Sequence, residues 1–270
     1  MKKRIASGCV LGVLIVTALV LGGWFLFFFC LVCSAVGMYE FYRAVNMRKT
    51  APAILGFVTL LVYYLSLFYG GMLVQTAVLC CGFLAEMMVY VVTFPKYRTE
   101  QIAYAYFGLV WAGVMISFIY QTRCLPEGQY TAWLIFAGSW INDTCAYFSG
   151  RAFGRHKMAA QLSPHKTIEG AVGGILGSGA ASLVFGYIMR ALGMLDIPGQ
   201  GMIFFMTGVI GAVFGIFGDL SASAIKRNHD IKDYGRIIPG HGGILDRFDS
   251  VIFTAPAVYY TFQLLVMLKS

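Results

Sequence analysis

The segment FGDLSASAIKRNHDIKDYGRIIPGHGGILDRFDS, residues 217–250, crowds five aspartates, a Lys-Arg pair and a glycine-flanked histidine between two apolar runs. Asp219, Ser223 and Lys226 are spaced by four and three, which sets them on one face of a helix if it continues that far. Asp246 and Asp249 are three apart and share a face at the start of the last apolar run. Carboxylates brought together from two helix ends repel unless a divalent cation sits between them. Hard oxygen ligands without a suitable Cys/His set favour Mg²⁺ over zinc. Lys226, Arg227 and Arg247 suit a phosphate-rich ligand, since Arg grips phosphate oxygens in a fork and Lys acts as a point charge. Gly242 and Gly243, next to His241, permit close backbone approach to such a ligand. A solvated connector with incidental salt bridges would need neither the five aspartates nor the GHGG run.

A second polar stretch, WINDTCAYFSGRAFGRHKMAAQLSPHKTIEG at 140–170, follows the same plan. It opens with a carboxylate inside a helix end, Asp143, continues through basic residues, and is broken by Gly and Pro. Its SPHKTIEG portion reads as a helix start, with Ser163 or Thr167 capping and Glu169 in the first turn. Capping accounts for Thr167 and Glu169 and leaves Lys166 to reach a phosphate. His241, His229 and His156 carry no assignment alone, because a loop histidine serves equally well as a hydrogen-bonding residue.

The elements that must hold these residues are membrane helices. The 270 residues are 59% hydrophobic and 12% charged, where soluble domains carry roughly 25% charged residues. Apolar runs predict spans at about 5–20, 23–42, 52–69, 72–92, 102–121, 131–148, 170–191, 202–222 and 250–268, most near the ~20 residues a bilayer requires. The expected fold class is all-α, a polytopic membrane protein of about nine transmembrane helices with a cytoplasmic N-terminus. Gly22-Gly23 is the only punctuation in the first long run. It is read as a tight hairpin rather than a kink, because nine spans place 17 of the 20 Lys and Arg residues on the cytoplasmic side. Only Arg123, Arg190 and Lys269 fall outside. No small-residue cleavage site with a polar continuation follows MKKRIASG, so this start is read as an anchor rather than a signal peptide.

Two regions follow: residues 1–130 with about five spans, and a catalytic region at 131–270 with cytoplasmic loops at 149–169 and 226–247. The seven cysteines are odd in number, and all but Cys124 lie in predicted spans, so no disulfide framework is expected. Gly170, Gly174 and Ser178, like Gly211 and Gly215, recur at intervals of four and are read as close helix packing. Four acidic residues fall inside predicted spans: Glu40, Glu86, Asp143 and Asp219. Such residues mark functional sites by default, although Glu40 is read as a structural pair with nearby Arg43. Glu86 has no near sequence partner.

Ser223, Lys226-Arg227, Lys232-Asp233, His241-Gly242-Gly243 and Asp246-Arg247-Phe248-Asp249 form a pattern that resembles the closing signature of the phosphatidate cytidylyltransferases, also called CDP-diacylglycerol synthases. An upstream block is similar as well, through Asn142-Asp143, Tyr147, Gly150, Gly154, Ser163-Pro164, Lys166-Thr167 and Glu169-Gly170. The likeness covers about the C-terminal half; before residue 135 it is only hydrophobic and topological.

The resemblance implies that CTP and phosphatidate are converted to CDP-diacylglycerol and pyrophosphate at the inner (cytoplasmic) membrane. It implies Asp219, Asp246 and Asp249 as metal residues for Mg²⁺ and a possible second cation. Asp219, Lys226, Arg227, Asp246 and Arg247 are the implied catalytic set, and Asp143, Lys166, Thr167, Ser223, His241, Gly242 and Gly243 the substrate-binding set. Membrane lipid is the expected surrounding, homodimer formation is open, and no nucleic acid is expected. A transporter would be favoured by inverted repeats, and none is found. An alcohol phosphotransferase would need a different spaced-aspartate pattern.

Overall fold

The computed structural model describes residues 2–238, 240 and 242–269, with backbone only for residues 2–6. Among these the chain forms nine helices: α1 Lys2–Leu21, α2 Gly23–Ala44, α3 Ala51–Tyr69, α4 Met72–Val92, α5 Thr99–Arg123, α6 at 128–153, α7 Ile168–Ala191, α8 Gln200–Asn228 and α9 Leu245–Met267. Seven are long and apolar enough to cross a membrane, as a polytopic membrane protein requires. The others are α1, in which Ser7–Leu21 is a shorter apolar helix among the described residues, and α6, which is interrupted. Gly22 and Gly23 both adopt positive φ, of 61° and 48°, so the first long run divides into two helices where only glycine enters the left-handed region cheaply.

Helices α5 and α6 each contain a π turn, at Leu109–Val114 and Ala137–Ile141. Such turns shift backbone hydrogen bonds from the fourth to the fifth residue on. In α6 the Ala137 carbonyl accepts the Asn142 amide and, in addition, the Ser178 hydroxyl at 2.9 Å. A short antiparallel ribbon, β1 Lys157–Ala159 with β2 Ser163–Thr167, joins α6 to α7 and was not expected from the sequence.

The chain divides into two compact units. The first comprises Met1–Ala18, Gly23–Ser117 and His229–Arg247. In it α3 packs on α4, and α2 lies against the π turn of α5. The second comprises Leu19–Gly22, Phe118–Asn228 and Phe248–Ser270. Here α7 is clasped by α6 and α8. The four-residue glycine spacing does the work expected of it, because a Cβ on Gly170 would lie 2.8 Å from the Ala146 carbonyl oxygen and one on Gly215 would lie 2.8 Å from Thr254 Oγ1. Small residues let these backbones touch.

Candidate active site

The second unit contains a cavity of about 600 Å³, walled by the C-terminal half of α6, the ribbon, the start of α7 and the Asp219 turn of α8. That volume suits a drug-sized or nucleotide-sized ligand. Asp143, Tyr147, Arg151, His165, Lys166 and Asp219 supply its charged and titratable lining. Lys166 Nζ lies 2.6 Å from Asp219 Oδ2, both groups part-buried. Asp143 is within electrostatic reach of both, and Asp249 of Asp219, Lys226 and Asp143. Three carboxylates and two ammonium groups thus form one cluster. Among the described residues no three His, Cys, Asp or Glu side chains close around a common point as metal ligands. The oxygen-only donor set nonetheless fits a hard divalent cation, and Lys166 holds a positive charge against Asp219 where such a cation would be attracted.

Local chemistry explains these placements. Helix α8 runs unbroken to Asn228, so the Asp219, Ser223 and Lys226 spacing does occupy one face. Thr167, rather than Ser163, caps α7: its Oγ1 accepts from the Gly170 amide at 3.1 Å. Glu169 binds back onto the chain entering the ribbon, accepting from the amides of Arg155 and His156 and meeting His156 Nδ1 at 2.6 Å. Lys166 is thereby set at the end of a braced strand, facing the cavity. Arg227 is exposed at the end of α8.

The remaining expected residues belong to the loop of the first unit, except His241, which lies outside the described residues. The last helix starts at Leu245, five residues before the predicted span, because its first turn is polar. Asp246 is 5% exposed, and its Oδ2 accepts from the amides of Tyr234 at 2.8 Å and Gly243 at 2.9 Å. Gly242 has φ of 86°, and a Cβ there would lie 2.7 Å from Asp246 Oδ2. The close approach that Gly242 and Gly243 permit is therefore to carboxylates of the protein itself. Arg247 is exposed.

Glu40 requires a correction. Arg43 is its electrostatic neighbour but, among the described residues, makes no direct contact pair with it; Glu40 Oε2 accepts from the Leu245 amide at 2.9 Å, while Arg43 Nη2 donates to the Tyr234 carbonyl at 2.6 Å. Glu86 is 2% exposed with neither oxygen hydrogen-bonded among the described residues. Sequence reasoning did not select Tyr147, Arg151 and His165 as site residues, although all three line the cavity. Tyr147 and Arg151 follow Asp143 at intervals of four and eight, a helical face that marks them in retrospect.

Comparison with known proteins identifies the family. The chain is 29% identical over 275 residues to a phosphatidate cytidylyltransferase of Bacillus subtilis, covering 98% of each chain. It is 30% identical over 260 residues to one of Staphylococcus haemolyticus and 31% to one of Staphylococcus aureus, with 95% of this chain and 96% of the relative covered in both cases. The likeness thus extends through the N-terminal half, where the sequence alone suggested only hydrophobicity and topology. The profile of the cytidylyltransferase family matches residues 2–265, and the protein belongs to that family.

Proposed function

We propose that the protein transfers the cytidylyl group of CTP to phosphatidate, giving CDP-diacylglycerol and pyrophosphate. The observation that carries this reading is the Lys166–Asp219 pair on the wall of a cavity of about 600 Å³ that Asp143 also lines, with Asp249 and Lys226 within electrostatic reach of it. A phosphate monoester has its second pKa near ~6, so phosphatidate arrives largely as a dianion and needs no strong general base. Its phosphate oxygen attacks the α-phosphorus of CTP, and the bond to the pyrophosphate oxygen breaks. The barrier is electrostatic, since an anion must approach a polyanion.

Lys166, Lys226, Arg227 and Arg247 answer that repulsion as phosphate-binding cations, with Ser223, Thr167, His241, Gly242 and Gly243 as further substrate contacts. Asp219 and Asp249, with Asp143 beside them, supply oxygens suited to Mg²⁺, and the family resemblance adds Asp246. When bound, Mg²⁺ and any second cation offset the phosphate charge. The Asp219 carboxylate also orients Lys166 through their 2.6 Å contact. The catalytic residues belong to the C-terminal region, 131–270.

Purified protein given cytidine-labelled CTP, phosphatidate and Mg²⁺ in detergent should form a lipid-extractable cytidine product. Absence of that product from folded protein would reject the activity. The charge partition further supports a multi-pass protein of the cytoplasmic membrane whose loops at 149–169 and 226–247 face the cytosol. Single cysteines placed there, with native cysteines removed, should react with an impermeant reagent only after the membrane is opened; labelling of both loops in intact cells would overturn this orientation. Cross-linking in native membranes tests for a homodimer.

A further inference from the structure

We propose that Glu40, far from the signature residues in sequence, is a positioning residue for the loop at 234–246, an inference that rests on the cytidylyltransferase reading. A carboxylate in a membrane helix is expensive. Glu40 is 1% exposed, and its Oε2 takes the Leu245 amide at 2.9 Å, where α9 begins. An anion at this end of a helix meets the positive end of its dipole and makes a charge-assisted hydrogen bond.

Two glycines of the loop exist in the shape of this contact. A Cβ on Gly235 or on Gly243 would collide with the Glu40 carboxylate, and in both cases its atoms are the nearest obstacle. One helical turn along α2, Arg43 holds the Tyr234 carbonyl at 2.6 Å. The Tyr234 amide is in turn taken by Asp246, which also takes the Gly243 amide. The loop is therefore gripped at its start by Arg43, at its end by Glu40, and across its middle by Asp246. Glu40 reaches no substrate in this scheme. It acts by fixing the backbone that presents Asp246.

The test uses the full-length protein in detergent, with Glu40→Gln, Glu40→Ala, Gly243→Ala and the Glu40→Ala/Gly243→Ala pair. Glu40→Gln is nearly isosteric and keeps an acceptor, so it should fold and lose about tenfold in kcat/KM for CTP, while Glu40→Ala loses about 100-fold. Amide hydrogen exchange should quicken in 234–246 and stay unchanged in the membrane helices. Gly243→Ala should cost about 100-fold alone but under about threefold on top of Glu40→Ala, because the obstacle to its methyl is then gone. Wild-type kinetics in both Glu40 variants, exchange that rises throughout the protein, or additive effects in the pair would each overturn the proposal. If the unmodified protein has no cytidylyl transfer activity, that failure belongs to the functional reading. Exchange confined to the loop would still support the anchoring, and its absence would still overturn it.

Discussion

In the loop at 234–246, carboxylates meet backbone amides; on the cavity wall, they meet ammonium groups. Asp246 and Glu40 are matched to the amides of Tyr234, Gly243 and Leu245 at 2.8 to 2.9 Å. Asp219 is matched to Lys166 at 2.6 Å, on a wall that Asp143 shares. A backbone amide cannot leave its partner without the loop changing shape, whereas a lysine ammonium rotates away on a flexible four-carbon stem. One arrangement fixes geometry. The other can exchange a cation for a ligand phosphate or a metal.

The sharpest way to break this comparison is to neutralise one carboxylate from each region. Asp219→Asn and Asp246→Asn should each lower turnover by at least ~1000-fold, the scale of several kcal/mol of lost charge stabilisation. Only Asp246→Asn should also lower the thermal unfolding midpoint in detergent, because it weakens two buried hydrogen bonds by about 1 to 2 kcal/mol in all. Normal Mg²⁺-dependent activity in either variant would remove that residue from the metal role. Equal midpoints for the two would erase the distinction between the regions. Asp143→Asn should be damaging to a lesser degree, because the amide keeps a hydrogen-bonding oxygen where the carboxylate stood.

A smaller effect is expected from charge-conserving swaps at the end of α8. A topology anchor needs charge alone, so Lys226→Arg and Arg227→Lys would then be harmless. A phosphate clamp also needs shape, since the guanidinium fork and the ammonium donate differently. Both swaps should lower kcat and kcat/KM together by about tenfold to a hundredfold. Wild-type kinetics in both, with insertion confirmed, would return these residues to an anchoring role.

The smallest effect is predicted at Thr167, where the structure shows a cap and the family resemblance implies a substrate contact. Thr167→Ala should cost about 1 kcal/mol of stability as a lost helix cap, and Thr167→Ser should restore it. Kinetic constants should change by less than about fivefold, on that same scale. A tenfold rise in KM for CTP with an unchanged unfolding midpoint would make the hydroxyl a ligand rather than a brace.

Long apolar runs made the helices legible, because a membrane span is a property of length and composition. The Asp219, Ser223 and Lys226 face was legible because helical spacing is local. The partner of Glu40 was not: its acceptor contact with Leu245 joins residues 205 apart in sequence, and nearby Arg43 offered a simpler pairing that the structure does not adopt. The ribbon at 157–167 escaped notice because its strands are short, polar and without alternation. The predicted boundary of the last span came five residues late, since Leu245-Asp246-Arg247 lowers the apolar average that defines a span, although the spacing of Asp246 and Asp249 already marked one face at the start of that helix. The π turns left no signal either, because one added residue barely alters a pattern that is apolar on every side.

That added residue in α6 has a rotational consequence. Each residue advances an α-helix by about 100° around its axis, and a π turn inserts one such step without ending the helix. Everything beyond Ile141 is therefore out of phase with the helix that precedes Ala137. Asp143, Tyr147 and Arg151 inherit the shift together and look into the cavity as a set. A continuous α-helix of the same composition, one residue shorter, would span the same membrane and aim that whole row somewhere else.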